Sequence, residues 1–304
     1  MNTNLILFEM GKKYGIIRKK YAQRETNMEE KTILSNSQIK SKAKEALKGN
    51  WGTAVITFII FNIVMYSVTY VYNINQISNY IHDPYLIREN TGFGASGIIF
   101  FIKLLLAGPM TYGITRFSMN LVRDKSHKIE NIFEGFKHFS GTFIMNIVLG
   151  IYSFLWSLLL FIPFFVIIFV MVIREFSKTN MNFYSNGNDF SGWMIAIFIL
   201  LIIVLTVALS MILFRYAMTY YIYIDNPDMG AMKAIKESVA MMKGNKTRLL
   251  LLYLSFILWY LLGIITISIA FLWITPYIKS AEAVFYDELK KNNECNAEEA
   301  ISTL

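Results

Sequence analysis

Three polar side chains stand inside long apolar runs, where solvated chemistry is not expected: Asn62, Lys103 and Asn146. An ionisable group in such a run is a functional candidate by default, because hydrocarbon solvates charge poorly. Together the three would form an intramembrane polar site on an ion or substrate path. A simpler account stands beside that one. Lys103 is only six residues past Gly97, so its stem can carry the ammonium to the interface, and intramembrane asparagines commonly hydrogen-bond helix to helix. A second group is basic and lies just outside the apolar runs: Lys44, Lys48, Arg116, Arg215, Lys243, Lys246 and Arg248. These are candidate contacts for lipid headgroups, and ordinary positive-inside anchoring accounts for them equally well.

Other chemistry finds little to work with. His82, His127 and His138 all fall in links between apolar runs, and Cys295 is the single cysteine. There is no HExxH pair, no glycine-rich phosphate loop and no nucleophile that can be matched to a base. No metal, cofactor or catalytic residue is therefore expected, and the chain reads as a non-enzyme.

The elements that must position the candidates are membrane segments. Of 304 residues, 55% are hydrophobic and 16% charged, against roughly a quarter charged in soluble domains. Trp51–Tyr72 and Trp193–Phe214 contain no Asp, Glu, Lys or Arg, and runs of about 20 such residues match the hydrocarbon thickness of a bilayer. The net charge of +8 does not point to nucleic acid, because the lysines and arginines cluster beside the apolar runs. Met1–Lys48 holds 11 of them, Leu121–Thr142 four and Asn226–Arg248 five, while the intervening links hold one (Arg88) and two (Arg174, Lys178). The amino terminus is thereby placed in the cytoplasm. Residues 1–36 read as a basic leader, with Met1 and Met28 both open as the start, 37–289 as one membrane-embedded helical domain, and 290–304 as a polar tail.

Short amphipathic helices introduce the segments. Ser37–Leu47 carries Ile39, Ala43, Ala46 and Leu47 on one face and lysines on the other, with Ser37 as cap and Gly49 as stop. A second stripe, Ile129, Ile132, Phe133, Phe136 and Phe139, is closed by Gly141; a third, Met229, Met232, Ile235, Val239 and Met242, by Gly244. The apolar run Phe143–Ile173 is longer than a bilayer needs and must tilt, project or break near Pro163. Leu249–Thr275, at 27 residues, is long for one span and short for two. Gly108-Pro109 and Thr275-Pro276 each lead into a lightly charged helix, which favours a hairpin turning near Gly263. The expected architecture is all-α: six segments as three hairpins, each introduced by a cytoplasmic interfacial helix, with both termini inside. Five spans is the alternative.

Several short stretches, in order, resemble a known family. They are Ala43-Lys44-Glu45-Ala46-Leu47-Lys48-Gly49-Asn50-Trp51, Leu155–Pro163, Tyr216-Ala217-Met218, Asp225-Asn226-Pro227 with Ala234–Ser238, Met242–Lys246, Leu254–Trp259, and Pro276-Tyr277 with Phe285-Tyr286. Over Ser37 to Leu289 the chain resembles domain-of-unknown-function family 975, bacterial multi-pass membrane proteins. Phe164 stands where relatives place a glycine after Ile-Pro, and Thr266–Ala270 replaces their Thr-x-Gly-Ile-Gly turn. The resemblance implies an architecture and no reaction. The function expected is non-enzymatic: binding membrane lipid, a membrane-protein partner or a second copy through the basic interfacial helices. A small transporter with a polar path near Lys103 is the alternative.

Overall fold

The computed structural model describes residues 33–82, 93–181 and 192–302, and every regular element among them is helical. Arg88 and nearly all of the basic leader lie outside the described residues. Helix α1 (Asn36–Leu47) is capped by Ser35, two residues before the expected cap. The Ser35 hydroxyl accepts from the Gln38 N–H at 3.3 Å, and the Gln38 side chain accepts from the Ser35 N–H at 2.8 Å. This reciprocal box satisfies two donors that a helix start leaves open. Ile39, Ala43 and Leu47, one helical turn apart, are buried, and Lys42, Lys44 and Lys48 are exposed.

Gly49 then takes φ +84°, and the chain turns 93° into α2 (Trp51–His82). Only glycine enters that backbone region without a Cβ penalty. The same corner recurs late in the chain. After α7 (Ala231–Met241), Gly244 also has φ +84°, and α8 (Lys246–Leu254) follows. In both corners the asparagine after the glycine donates its side-chain amide four residues back: Asn50 to the Ala46 carbonyl at 3.3 Å, Asn245 to that of Met241 at 3.0 Å. The sequence repeat KGN is thus a structural repeat.

The middle introduction is built differently. After α3 (Phe93–Val122), residues Ile129–His138 form a 3₁₀ helix that runs directly into α4 (Phe139–Met181). Gly141 lies inside α4 and stops nothing, which corrects that expectation. The expected apolar stripe also divides. With three residues per turn, positions three apart eclipse, so Ile132 and Gly135 turn inward while Phe133, Phe136 and Phe139 share an exposed face.

Helix α4 passes Pro163 as one element of 43 residues, about 65 Å long at 1.5 Å per residue. It projects beyond any bilayer core instead of breaking. Its partner is α5 (Gly192–Leu213), continued by a turn of 3₁₀ helix, Phe214–Tyr216, and by α6 (Thr219–Asp225).

The last apolar run is a hairpin. Helices α8 and α9 (Ile257–Ile265) lead to a turn at 266–270, from which α10 (Phe271–Ser302) departs. Ile267 and Ser268 adopt φ +52° and +69°, the Ser268 N–H reaches the Gly263 carbonyl at 2.8 Å, and the Thr266 hydroxyl accepts from the Ala270 N–H at 3.1 Å. Partner positions fall along one strand of the hairpin as they rise along the other: Tyr260 meets Phe271, Phe256 meets Tyr277, Tyr253 meets Glu282, and Arg248 meets Glu288. That is antiparallel pairing. The turn lies a few residues past Gly263, which is covered by the Phe271 ring.

Four helices among the described residues are long and apolar enough to cross a membrane, or five if α1 and α2 count as one bent span. The returning arm α10 is outside that set, because Lys279, Glu282, Asp287 and Glu288 all fall within its first 18 residues. The length and composition of the four or five are consistent with an all-α membrane-spanning bundle. The buried core lies at the end of the bundle where the introductory helices sit; the far halves of the arms expose Leu158, Ile203 and Ile265 to their surroundings.

The three introductory helices form a closed collar. The 3₁₀ helix packs on α3 of the first hairpin, where Gly113 lies against the Ile132 backbone and Gly135 against Pro109. Helix α7 packs on the second hairpin, with Ser238 accepting from the Met218 N–H at 3.2 Å and donating to the Arg215 carbonyl at 2.9 Å. Helix α1 packs on the third, with the Tyr277 hydroxyl donating to the Lys40 carbonyl at 3.2 Å and Lys40 Nζ to that of Ser255 at 3.3 Å. Each introductory helix closes onto the hairpin before its own, and the first closes onto the last.

Candidate functional site

The returning arms of the three hairpins meet at one ionic hub. Arg123 follows α3, Asp225 ends α6, and Tyr286, Asp287 and Lys290 belong to α10. Arg123 donates to both Asp225 oxygens, at 2.6 and 3.0 Å, and to Asp287 at 2.6 to 3.2 Å. Lys290 and the Tyr286 hydroxyl complete Asp225 at 2.7 and 3.0 Å. Two cations face two carboxylates, so the formal charge cancels. Burial alone would lower the Arg123 pKa, but its hydrogen bonds with Asp225 and Asp287 raise it above the ordinary arginine value, and the guanidinium stays charged. A planar fork that spans two carboxylates is a role lysine cannot fill.

Two further polar contacts tie α10 to its neighbours. Glu282, nearly buried, accepts from the Tyr253 hydroxyl at 2.6 Å, from Lys279 at 2.7 Å and from the Tyr221 hydroxyl at 3.1 Å. Arg248 bonds Glu288 at 2.6 Å and the Leu34 carbonyl at 3.3 Å, and lies over the Phe285 ring. In the first hairpin, Arg116 pairs with Glu134 of the 3₁₀ helix, and Asn131 donates to Glu134 at 2.6 Å.

The basic residues singled out in the sequence therefore divide into two kinds. Lys44, Lys48 and Lys243 are exposed on the collar; Lys246, half-buried, opens α8. Arg116, Arg215 and Arg248 are half-buried, and Arg116 and Arg248 are held by ion pairs. The polar trio is not brought together. Lys103 Nζ lies 5.4 Å from the centre of the Tyr66 ring, Asn62 is exposed and returns its amide to the Phe58 carbonyl at 2.7 Å, and Asn146 sits against Gly108 on another pair of helices. His138, read as a solvated link residue, is half-buried between the rings of Tyr112 and Tyr223. Among the described residues no three His, Cys, Asp or Glu side chains are grouped so as to hold a metal ion.

The hub itself was not anticipated. Arg123 counted only as one of the basic link residues, and Asp287 as one of a few charges in a returning helix. A signal was present: Glu282, Tyr286 and Lys290 recur every four residues after Pro276, a polar helical stripe on an arm that has to be packed.

Two open hollows flank this centre. A cleft of about 670 Å³ lies between α1 and α10, with Lys42 and Lys48 on one wall and Asp287 and Glu288 on the other. A groove of about 730 Å³ lies between the start of α4 and the start of α7.

No curated protein and no solved structure matches the chain. A family model does, over residues 28–293, which take in the collar, the hairpins and the hub. The chain belongs to the family described as proteins of unknown function, DUF975.

Proposed function

We propose that this chain is a non-catalytic protein of the bacterial cell membrane, with both termini on the cytoplasmic side, that binds anionic lipid through its basic collar. The observation that carries the reading is the corner at Gly49. Helix α1 is turned 93° from the apolar helix it precedes, with its apolar face packed inward and Lys42, Lys44 and Lys48 outward. A helix so placed lies along a membrane surface, where each lysine near anionic lipid contributes about 1 kcal/mol. The lysine and arginine excess on this side of the segments agrees in sign. The hub speaks for a scaffold, since its charged groups satisfy one another. Transport has less behind it, because Lys103, Asn62 and Asn146 do not share a site.

The test is retention of lipid by the full chain in nanodiscs that contain both anionic and zwitterionic lipid. Enrichment of anionic lipid around the protein is expected, and Lys44→Ala, Lys48→Ala and Lys243→Ala together should reduce it. Equal retention of both lipid kinds would remove the proposal.

A further inference from the structure

Helix α7 begins without a side-chain cap. Gly230 stands at its N-cap with φ +79°, and the first bond into the helix runs from the Ala234 N–H to the Gly230 carbonyl at 3.2 Å. The N–H groups of Ala231, Met232 and Lys233 are therefore left as donors without helical acceptors. These three residues line the groove between α4 and α7, as does Lys236. No Asp or Glu lines it, in contrast to the cleft between α1 and α10, where carboxylates and lysines oppose one another.

A second feature of the groove is independent of the helix end. Tyr223 lines it while being only 5% exposed. Its hydroxyl lies against Gly141, another lining residue, and takes no hydrogen bond among the described residues. The ring is buried while the residue lines the groove, so the hydroxyl is free to donate to an acceptor that enters there. Ser140 also lines the groove. Asp228, on the turn before α7, acts electrostatically on Tyr223 but does not line the groove. The remaining wall is apolar and open, with Ile144 49% and Met232 45% exposed.

We propose that this groove binds the phosphate of an anionic lipid headgroup, with the acyl region lying along Ile144 and Met232. Backbone donors at a helix start favour an anion, and Lys233 and Lys236 supply the counter-charge. The Tyr223 hydroxyl donates to a phosphate oxygen. An apolar wall next to these donors suits a lipid better than a soluble phosphate. The inference rests on the lipid-binding reading above and adds one defined position to it.

The experiment uses the full chain, purified in mild detergent and stripped of lipid, with phosphatidylglycerol as probe and native mass spectrometry as readout. One tightly held phosphatidylglycerol is expected. Tyr223→Phe, which keeps the ring packing, should weaken it about tenfold, the loss of one hydrogen bond to a charged acceptor. Lys233→Ala with Lys236→Ala should weaken it at least as much. Unchanged binding in both groove variants would overturn the site while leaving the broader reading intact. Displacement of the lipid by inorganic phosphate alone would overturn the lipid assignment. Failure of the wild-type chain to hold any phosphatidylglycerol would overturn the broader reading together with the site.

Discussion

The guanidinium of Arg123 grips both oxygens of Asp225, at 2.6 and 3.0 Å, although 102 positions separate them in the chain. Through the same side chain Asp287, 164 positions away, is drawn to the same point. One residue thus joins the returning arms of all three hairpins. Replacing Arg123 with Met leaves Asp225 and Asp287 facing each other beside Lys290 alone. Removing one partner of a largely buried ion pair destabilises by about 3 kcal/mol. Unfolding of the purified chain in mixed micelles should show that loss, and adding Asp225→Asn should recover part of it, as coupled partners do. Strictly additive losses would mean that the two do not act as a pair.

The collar depends on close backbone approach at Gly113 and Gly135. A Cβ at either position would collide with main chain, of Ile132 and Pro109 respectively. Neither neighbour is a flexible tip that can swing away. Gly135→Ala should therefore detach the 3₁₀ helix from α3, at a cost of about 3 kcal/mol or more, and expose 129–138 to protease. At Gly49 and Gly244 there is free space for a Cβ but φ is +84°, so alanine there costs only about 1–2 kcal/mol. The ordering of the two pairs is the measurable point.

Glu282 is the acceptor for two tyrosine hydroxyls and a lysine. Glu282→Leu strands all three donors and should destabilise by about 3 kcal/mol. Glu282→Gln keeps one acceptor oxygen and should cost less than half of that. If the two variants melted together, the carboxylate would not be organising the contact between α8, α6 and α10.

Lys103 supplies the sharpest contrast between the two functional readings. Its ammonium rests over the Tyr66 ring, a contact of about 0.5–1 kcal/mol at exposed sites. Lys103→Ala should lower stability by no more than that and leave ion flux through proteoliposomes at the level of the unsubstituted chain. A flux that falls with the lysine would restore the polar path.

Cys295 lies in the run first taken as a polar tail. The structure continues α10 through Ser302 and buries the thiol. In the folded protein it should react slowly with a maleimide from either side of the membrane, and rapidly once the chain is unfolded in a denaturing detergent. Fast labelling of the native protein would place α10 elsewhere.

Much of the architecture was legible from composition and local chemistry. Uncharged runs such as Trp51–Tyr72 mark helices because hydrocarbon excludes charge and unpaired backbone alike. Gly49 and Gly244 mark corners because a left-handed backbone after a helix favours glycine. Both signals are local, so sequence alone determined the helical class and the basic introductions to the segments. Five and six segments both stayed open, and the antiparallel contacts of α8 and α9 with α10 decided for a hairpin at the end of the chain. Sequence alone also placed Lys44, Lys48 and Lys243 on an outer face. Helix type was not legible at 129–138: a stripe spaced for an α-helix became a 3₁₀ helix with Phe133, Phe136 and Phe139 outside. That helix seats Ile132 against Gly113 and Gly135 against Pro109, and both contacts are tertiary. Only the assembled fold decided which charges are solvated and which are internal. Arg116, Arg123 and Arg248 look in sequence like anchoring residues, yet each is matched by a carboxylate from another element. Pairing of that kind depends on distances across 18 to 164 positions, and no local pattern encodes them.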